Sequence, residues 1–146
     1  MSNYVYTNAA RALLAGEIDF DSDTIIALLV MTNTTADTEK DVTVLSGFGT
    51  LDEFDGSGYS RQTLGTKTVT ADNTNDRGVF TAANISFTNI SAGTRQIQGI
   101  ILAKSAADPI PLVWIDTTTG LVLPFAANGG TLEFAPNVSG LLYGGS

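Results

Sequence analysis

The sequence predicts a mainly β protein: an antiparallel β-sandwich or a jelly-roll-like barrel with one short N-terminal helix. Roughly eight short apolar or alternating runs recur at intervals of about 8 to 12 residues. The breaks between them are rich in Thr, Ser and Asn, and the chain has 15 glycines, which is the composition of strands joined by turns. Only one stretch, near the N-terminus, has the three- and four-residue spacing of a helical face.

The length predicts a single domain, residues 1–146, with a short N-terminal arm. A chain of 146 residues buries roughly two thirds of the surface that it exposes when unfolded, so one core is sufficient. No sequence repeat and no linker divides it.

The segment 8–31 is predicted to organise the fold, and it begins with the helix. Thr7 or Asn8 is expected to cap the helix through a side-chain oxygen. Gly16 is expected to end it, because glycine enters the left-handed conformation at low cost. The predicted apolar face consists of three residues: Ala10, Leu13 and Leu14.

After an acidic turn over residues 19–23, residues 24–31 form a run that is apolar on both faces. Such a strand needs cover on both sides. A buried helix is the alternative, but the run is short and closely follows a helix end, which favours a strand. Residues 96–104 make a second run of this kind and are predicted near the middle of a sheet.

The other predicted strands are shorter or more exposed. Residues 61–70 suit a half-exposed strand, and the turn formers at 71–78 predict a hairpin to a returning strand over 79–80 and 85–87. Residues 110–116 and 138–143 are further strands. Asn128-Gly129-Gly130 predicts a tight hairpin turn, and residues 131–135 alternate with Leu132 and Phe134 inward.

Two loops are candidates for contact with a partner. Residues 32–39 are polar and are predicted to be exposed. Residues 46–59 are rich in glycine and place Asp52, Glu53 and Asp55 beside aromatic residues. This loop is either a contact surface, since binding residues are often on loops, or a loop whose aromatics pack under the sheet. Its carboxylates are expected to be solvated.

Composition excludes several functions. The 15 acidic and 7 basic residues give a net charge of −8, which disfavours a nucleic-acid partner. Without cysteine there is no disulfide and no thiolate metal site, and without histidine the commonest proton shuttle is missing. No catalytic or phosphate-binding motif is present. The sequence therefore predicts no enzyme, no cofactor and no small-molecule substrate.

Asp19, Asp21 and Asp23 look like the start of a calcium loop, but that pattern continues with Gly at its sixth position and Glu at its twelfth. This chain has Thr24 and Val30 there. A hydrogen-bonded turn is favoured over a surface calcium site.

The N-terminus shows no secretion signal, and no run is long enough to cross a bilayer. We therefore expect synthesis in a cytoplasm and no membrane partner.

Trp114 and two arginines have open interpretations. Trp114 has apolar neighbours on both faces of its strand, so core packing is favoured over a stacking platform for a sugar. Arg11 and Arg95 either reach a partner subunit or are solvated, and the sequence does not separate these alternatives.

Three motifs resemble a family of small tailed-phage virion proteins. The first, residues 13–25, has a Leu-Leu-x-Gly-x-Ile-Asp pattern between a helix and a strand; the second is residues 56–64. The third comprises residues 80–87 followed by 100–104. The family resemblance implies a capsid cement or decoration protein, a β-rich homo-trimer at threefold positions on the outside of the virion, with the major capsid protein as partner.

The contact with capsid or sister subunits is expected in residues 2–11 and in the loops 32–39 and 46–59. The candidate contact residues are Tyr4, Tyr6, Arg11, Phe48, Phe54, Tyr59 and Arg61. A tail, fibre or baseplate component is the first alternative. A sugar-binding β-sandwich built around Trp114 or Tyr59 is the second.

Overall fold

A computed structural model describes residues 3–118 and 121–143, with residues 137–143 described by their backbone alone. Within these residues the helix and the strands follow in this order: β1 (Tyr4–Val5), α1 (Thr7–Leu14), β2 (Ile25–Met31), β3 (Gln62–Thr63), β4 (Thr68–Asp72), β5 (Arg77–Thr81), β6 (Ile85–Phe87), β7 (Ile97–Lys104), β8 (Ile110–Ile115), β9 (Leu132–Phe134) and β10 (Asn137–Tyr143). A single 3₁₀ turn, Leu45–Gly47, lies between β2 and β3.

The predicted mainly β, antiparallel class with one short helix is confirmed. The strands form a five-stranded sheet in the order β1-β8-β7-β2-β3, a three-stranded sheet β10-β5-β4 and a two-stranded sheet β6-β9. All pairs within these sheets are antiparallel. Over the described residues, backbone pairing between strands does not join the three sheets into a closed barrel. Of the two predicted architectures, the arrangement is consistent with the β-sandwich.

The centre of the fold is the ladder between β2 and β7, and both predictions of strands buried on two faces are confirmed. Leu28 pairs with Ile101, and Val30 pairs with Gly99. On β2 only Ile26 is partly exposed. The buried side chains of both strands belong to one hydrophobic core.

Helix α1 differs from its prediction at one end and agrees at the other. Neither Thr7 nor Asn8 caps it: Tyr6 is the N-cap residue and makes no side-chain cap hydrogen bond, and the Thr7 amide donates to the Lys40 carbonyl at 2.8 Å. Gly16 ends the helix as predicted, with φ of 74°.

The predicted apolar face of α1 was also wrong. The buried residues are Ala9 and Ala12, whereas Leu14 is 92% exposed. Helix α1 packs on β8, and the small alanine side chains permit a close approach between the two elements.

The loop 32–39 is less exposed than predicted. Thr34 and Ala36 are buried. The Ala36 carbonyl accepts hydrogen bonds from the hydroxyls of both Tyr4 and Tyr6, so this loop holds the N-terminal arm from Asn3 onward against the core. Residue 2 lies outside the described residues.

The hairpin predicted at 71–78 is confirmed, with Asp72 paired to Arg77. Two predicted strands are each divided. Residues 61–70 contain β3 and the first part of β4, on either side of Thr66, whose φ is 48°. The returning strand splits into β5 and β6, which belong to different sheets.

The turn at Asn128 forms, but the predicted hairpin does not. The Gly129 amide donates to the Ile90 carbonyl at 2.7 Å, and the Ile90 amide donates to the Gly130 carbonyl at 3.1 Å. These bonds dock the turn on another loop. The alternation on β9 is confirmed, with Leu132 and Phe134 buried. Among the described helices, none has the length and apolar character that a membrane span requires.

Candidate interaction surface

The structure places most of the predicted contact residues in or against the core. Tyr6, Phe48 and Phe54 are buried, and Tyr6 makes edge-on ring contacts with Tyr4 and Phe48. The aromatic side chains Phe48 and Phe54 of loop 46–59 therefore pack inward. This agrees with the interpretation that the aromatics of this loop pack under the sheet.

The two arginines among the predicted contact residues reach the surface, and both are paired. Arg11 contacts Glu17 at 2.7 Å, with both side chains 55% exposed. Arg61 holds Glu53 through two hydrogen bonds of 2.8 Å. In this fold, both arginines hold neighbouring segments of the same chain.

Tyr59 is the centre of a polar network that includes Glu53 and Arg61. Its hydroxyl donates to Glu53 Oε1 at 2.7 Å and accepts from the Leu29 amide at 3.2 Å. Burial raises the pKa of Glu53, but hydrogen bonds from Arg61 and Tyr59 outweigh it and hold the pKa below its usual value. Burial raises the pKa of Tyr59, so this hydroxyl stays protonated. The network fixes the loop 46–59 to β2.

The other two carboxylates of this loop are hydrogen-bonded to another segment; Asp55 is exposed, as expected, whereas Asp52 is only partly exposed. Asp52 forms an ion pair with Arg95, and Asp55 accepts the Thr94 amide at 2.8 Å. The hydrogen bond from Arg95 is the main cause that lowers the pKa of Asp52. These bonds tie the loop to the segment before β7, and the partly exposed guanidinium of Arg95 is paired within the chain.

The acidic turn at residues 19–23 is a hydrogen-bonded turn, which is the alternative that the sequence favoured. The Asp23 amide donates to the Asp19 carbonyl, and the Asp19 amide donates back to Asp23 Oδ2, both at 2.8 Å. Lys104 pairs with Asp23 at 3.0 Å. In the part of the chain that the structure describes, no group of three or more acidic side chains is placed to hold a metal ion.

Trp114 belongs to the core and does not form a sugar platform. Its side chain is fully buried, and its indole N–H donates to Asp116 at 3.0 Å. Tyr59, the other residue considered for sugar stacking, contacts the rings of Phe54 and Phe87. Both aromatics that the sugar-binding alternative relied on are thus occupied by the protein itself.

A surface groove of about 430 Å³ separates the end of α1 from the β4–β5 hairpin. We call it the apolar groove, and it is lined by Leu13, Gly16, Ile18, Asp19, Phe20, Val69, Gly78, Val79 and Phe80. The rings of Phe20 and Phe80 in this lining contact each other, with centroids 4.8 Å apart. Asp19 is the one charged residue of this lining.

One exposed apolar side chain lines this groove. Large apolar side chains are exposed at three described positions: Leu14, Val69 and Val122. Val69 lines the apolar groove and is 54% exposed, and Leu14 follows the groove residue Leu13 in sequence. The sequence does not predict this surface, because the one local signal for it is Val69, a single apolar residue in a threonine-rich strand.

Strand β4 is the outer strand of its sheet. Its first four residues are exposed, and Asp72 is partly exposed. In the described part of the chain, no strand pairs with its outer side. Together, the edge and the apolar groove offer backbone hydrogen-bonding groups, apolar contact and one carboxylate, a chemistry suited to binding another chain.

No known protein family, no curated protein and no solved structure matches this chain.

Proposed function

We propose that this chain is a non-enzymatic structural protein of a tailed-phage virion, which binds the outer capsid surface as a cement or decoration protein and reinforces the shell. The observation that carries the proposal is the order of the three family-like motifs, residues 13–25, 56–64, and 80–87 followed by 100–104. They extend over most of the chain.

The motifs coincide with features on which this fold depends. The first contains Gly16 at the end of α1 and leads into β2. The second contains Tyr59 and Arg61, which hold Glu53. The third covers parts of β5 to β7. Motifs that serve the scaffold, with no catalytic motif among them, suit an architectural role.

The loops are held by pairs between distant segments, such as Asp52 with Arg95 and Asp55 with Thr94. A cement protein benefits from such a scaffold, because a surface that is already ordered loses less conformational entropy on binding. On a shell, each copy of a homo-trimer at a threefold position adds its contact to those of its neighbours, so a modest surface is sufficient through avidity. The partner in this proposal is the major capsid protein.

The test is to mix the purified protein with undecorated capsids assembled from the major capsid protein of the same phage. We expect extra density outside the shell at threefold positions in a cryo-electron microscopy reconstruction, and a trimeric mass for the free protein in solution. Bare capsids after incubation with a saturating amount of protein would contradict the proposal. Immunogold labelling of intact virions distinguishes the tail, fibre or baseplate alternative, for which the label would lie on the tail.

A further inference from the structure

We propose that Asn128 is a deamidation site that the fold holds closed, and that the reaction proceeds only when the turn at 128–130 separates from Ile90. The residues Asn128-Gly129-Gly130 predicted a hairpin, but in this fold they dock on another loop. The capsid role proposed above does not require this reaction, so the two proposals stand independently.

The reaction joins the side chain of Asn128 to the backbone amide that follows it. The Gly129 nitrogen gives up its proton and bonds to Cγ of Asn128, and the side-chain nitrogen leaves as ammonia. Water then opens the resulting succinimide ring at either carbonyl, which yields aspartate or isoaspartate. These steps consume water and need no catalyst, cofactor or oxidant.

Three local features leave this pair of residues open to the reaction. Asn128 and Gly129 are both exposed to water. Gly129 has a φ of 92°, which glycine adopts without strain, and because it has no side chain the approach of its nitrogen to Cγ is unhindered. The Gly130 amide donates to Asn128 Oδ1 at 3.3 Å, where it would stabilise the negative charge that forms on this oxygen during the attack.

One contact of the docked turn opposes the reaction. The Gly129 amide, whose nitrogen is the nucleophile, donates to the Ile90 carbonyl at 2.7 Å. A hydrogen-bonded amide loses its proton to solvent only after the bond opens, as in amide hydrogen exchange. The Ile90 amide donates to the Gly130 carbonyl at 3.1 Å and joins the same two segments. While both bonds are formed, the nitrogen that must attack Cγ is held by another part of the chain.

Both sides of this contact are fixed to the rest of the protein. Ile90 is 1% exposed, and the Ser91 amide donates to the Ser57 carbonyl at 2.9 Å. On the side of the turn, Ala127 is buried before it, and Leu132 begins β9 after it. Release of the turn from Ile90 therefore requires movement of the few exposed residues between these anchors, and not unfolding of the core.

Deamidation would make this release permanent. Isoaspartate carries the chain through its side-chain carbon and so adds a methylene to the backbone, which shifts Gly129 relative to Ile90. Both products also add a negative charge to a chain whose net charge is already −8. After isoaspartate has formed, the two bonds to Ile90 cannot both form again in the same register.

The test compares two rates in the whole protein. Hydrogen exchange followed by NMR gives the factor by which folding slows exchange of the Gly129 amide. Peptide mapping by mass spectrometry gives the deamidation rate of Asn128 in the native protein and in the urea-unfolded protein, at the same mildly alkaline pH and temperature. We expect folding to slow deamidation at least about tenfold, and by the same factor as amide exchange to within about threefold.

Two conservative variants separate release of the turn from unfolding of the whole protein. Ile90→Val removes a buried methylene group beneath the docked turn and should speed deamidation about threefold while the protein stays folded. Ile18→Val is the matched control, because Ile18 is a buried isoleucine that lines the apolar groove, and it should leave the rate unchanged. Asn128→Ser lacks the side-chain amide and should show no deamidation in this peptide.

Three results would overturn the proposal. Equal deamidation rates in the native and the unfolded protein would mean that the docked turn gives no protection. Equal acceleration by Ile90→Val and Ile18→Val would mean that unfolding of the whole protein, and not release of the turn, exposes the Gly129 nitrogen. No reaction at Asn128 even in urea would mean that the site does not exist. Whether the protein decorates capsids affects none of these results.

Discussion

Gly99 on β7 lies directly against the indole ring of Trp114 on β8. A Cβ atom placed on Gly99 would be 2.5 Å from Cζ2 and 2.9 Å from Cζ3 of that ring, closer than such atoms approach in folded proteins. The tryptophan is fully buried and has no space to move. The largest side chain of the core therefore depends on the absence of a side chain on the neighbouring strand.

Gly99→Ala should consequently destabilise the fold by about 1 to 3 kcal/mol, the usual cost of overpacking a core. Gly65→Ala is the matched control, because a Cβ atom there meets nothing within 4 Å. Urea unfolding followed by circular dichroism measures both free energies. Equal stability of the two variants would show that the ring can shift without cost.

Trp114 is the one tryptophan of the chain, so its fluorescence reports on this site alone. Because the side chain is buried, we expect emission at a shorter wavelength than in the unfolded protein and little quenching by acrylamide. Oligosaccharides should leave the emission unchanged. A saturable change on addition of a sugar would instead support the sugar-binding alternative.

The hydroxyl of Tyr59 bridges a buried amide and a half-buried carboxylate. Tyr59→Phe would leave the Leu29 amide without its acceptor and Glu53 without one of its donors. We expect a loss of about 1 to 2 kcal/mol in the free energy of unfolding. Tyr4→Phe is the control with a smaller expected effect, since the Ala36 carbonyl would still accept from Tyr6. Equal losses in chemical denaturation would contradict a special role for the Tyr59 network.

The sequence was most informative where one local pattern determines the structure. The two-sided apolar runs became β2 and β7, and the turn formers at 71–78 became a hairpin tip. Side-chain contacts between segments that are distant in sequence could not be predicted from a local pattern. Asp52 and Arg95 are 43 residues apart, and no local signal indicates that they meet. The same holds for the apolar groove, whose walls come from α1 and from the β4–β5 hairpin.

Helix α1 shows a different limit of prediction from the sequence. Its spacing predicted a buried face at Ala10, Leu13 and Leu14, but β8 selected the neighbouring face with Ala9 and Ala12. On so short a helix, tertiary packing overrides the apolar pattern. Leu14 then remains exposed next to a surface that the sequence did not reveal.

Acid should destabilise the protein progressively. Hydrogen bonds and ion pairs lower the pKa of several carboxyl groups in the folded state, among them Asp23, Asp52, Glu53 and Asp72. Between the folded and the unfolded pKa, the unfolded chain binds more protons, so stability rises with pH in that window. This stabilisation is complete above the unfolded pKa values of about 4 and is lost as the pH falls through the lower folded values.

The variant Glu53→Gln isolates one contribution to this acid sensitivity. It should be less stable than the unsubstituted protein at pH 6, and the difference should shrink as the pH falls below about 4, because the unfolded chain then takes up a proton at Glu53 before the folded chain does. Urea midpoints across this range measure the effect. A difference that does not change with pH would mean that the charge of Glu53 makes no contribution.

Thr66, between β3 and β4, has a φ of 48°, in the left-handed region that a β-branched side chain rarely adopts. The left-handed conformation costs an L-residue about 1 to 2 kcal/mol, whereas glycine adopts it freely but loses about 0.5 to 1 kcal/mol of chain entropy on folding. Thr66→Gly should therefore raise the free energy of unfolding by up to about 1 kcal/mol. Thr70→Gly, at an exposed threonine within β4, lacks this gain and should lower it by about 0.5 to 1 kcal/mol. Opposite signs in urea unfolding are the expected result, and a loss in both variants would show that the conformation of Thr66 is not strained.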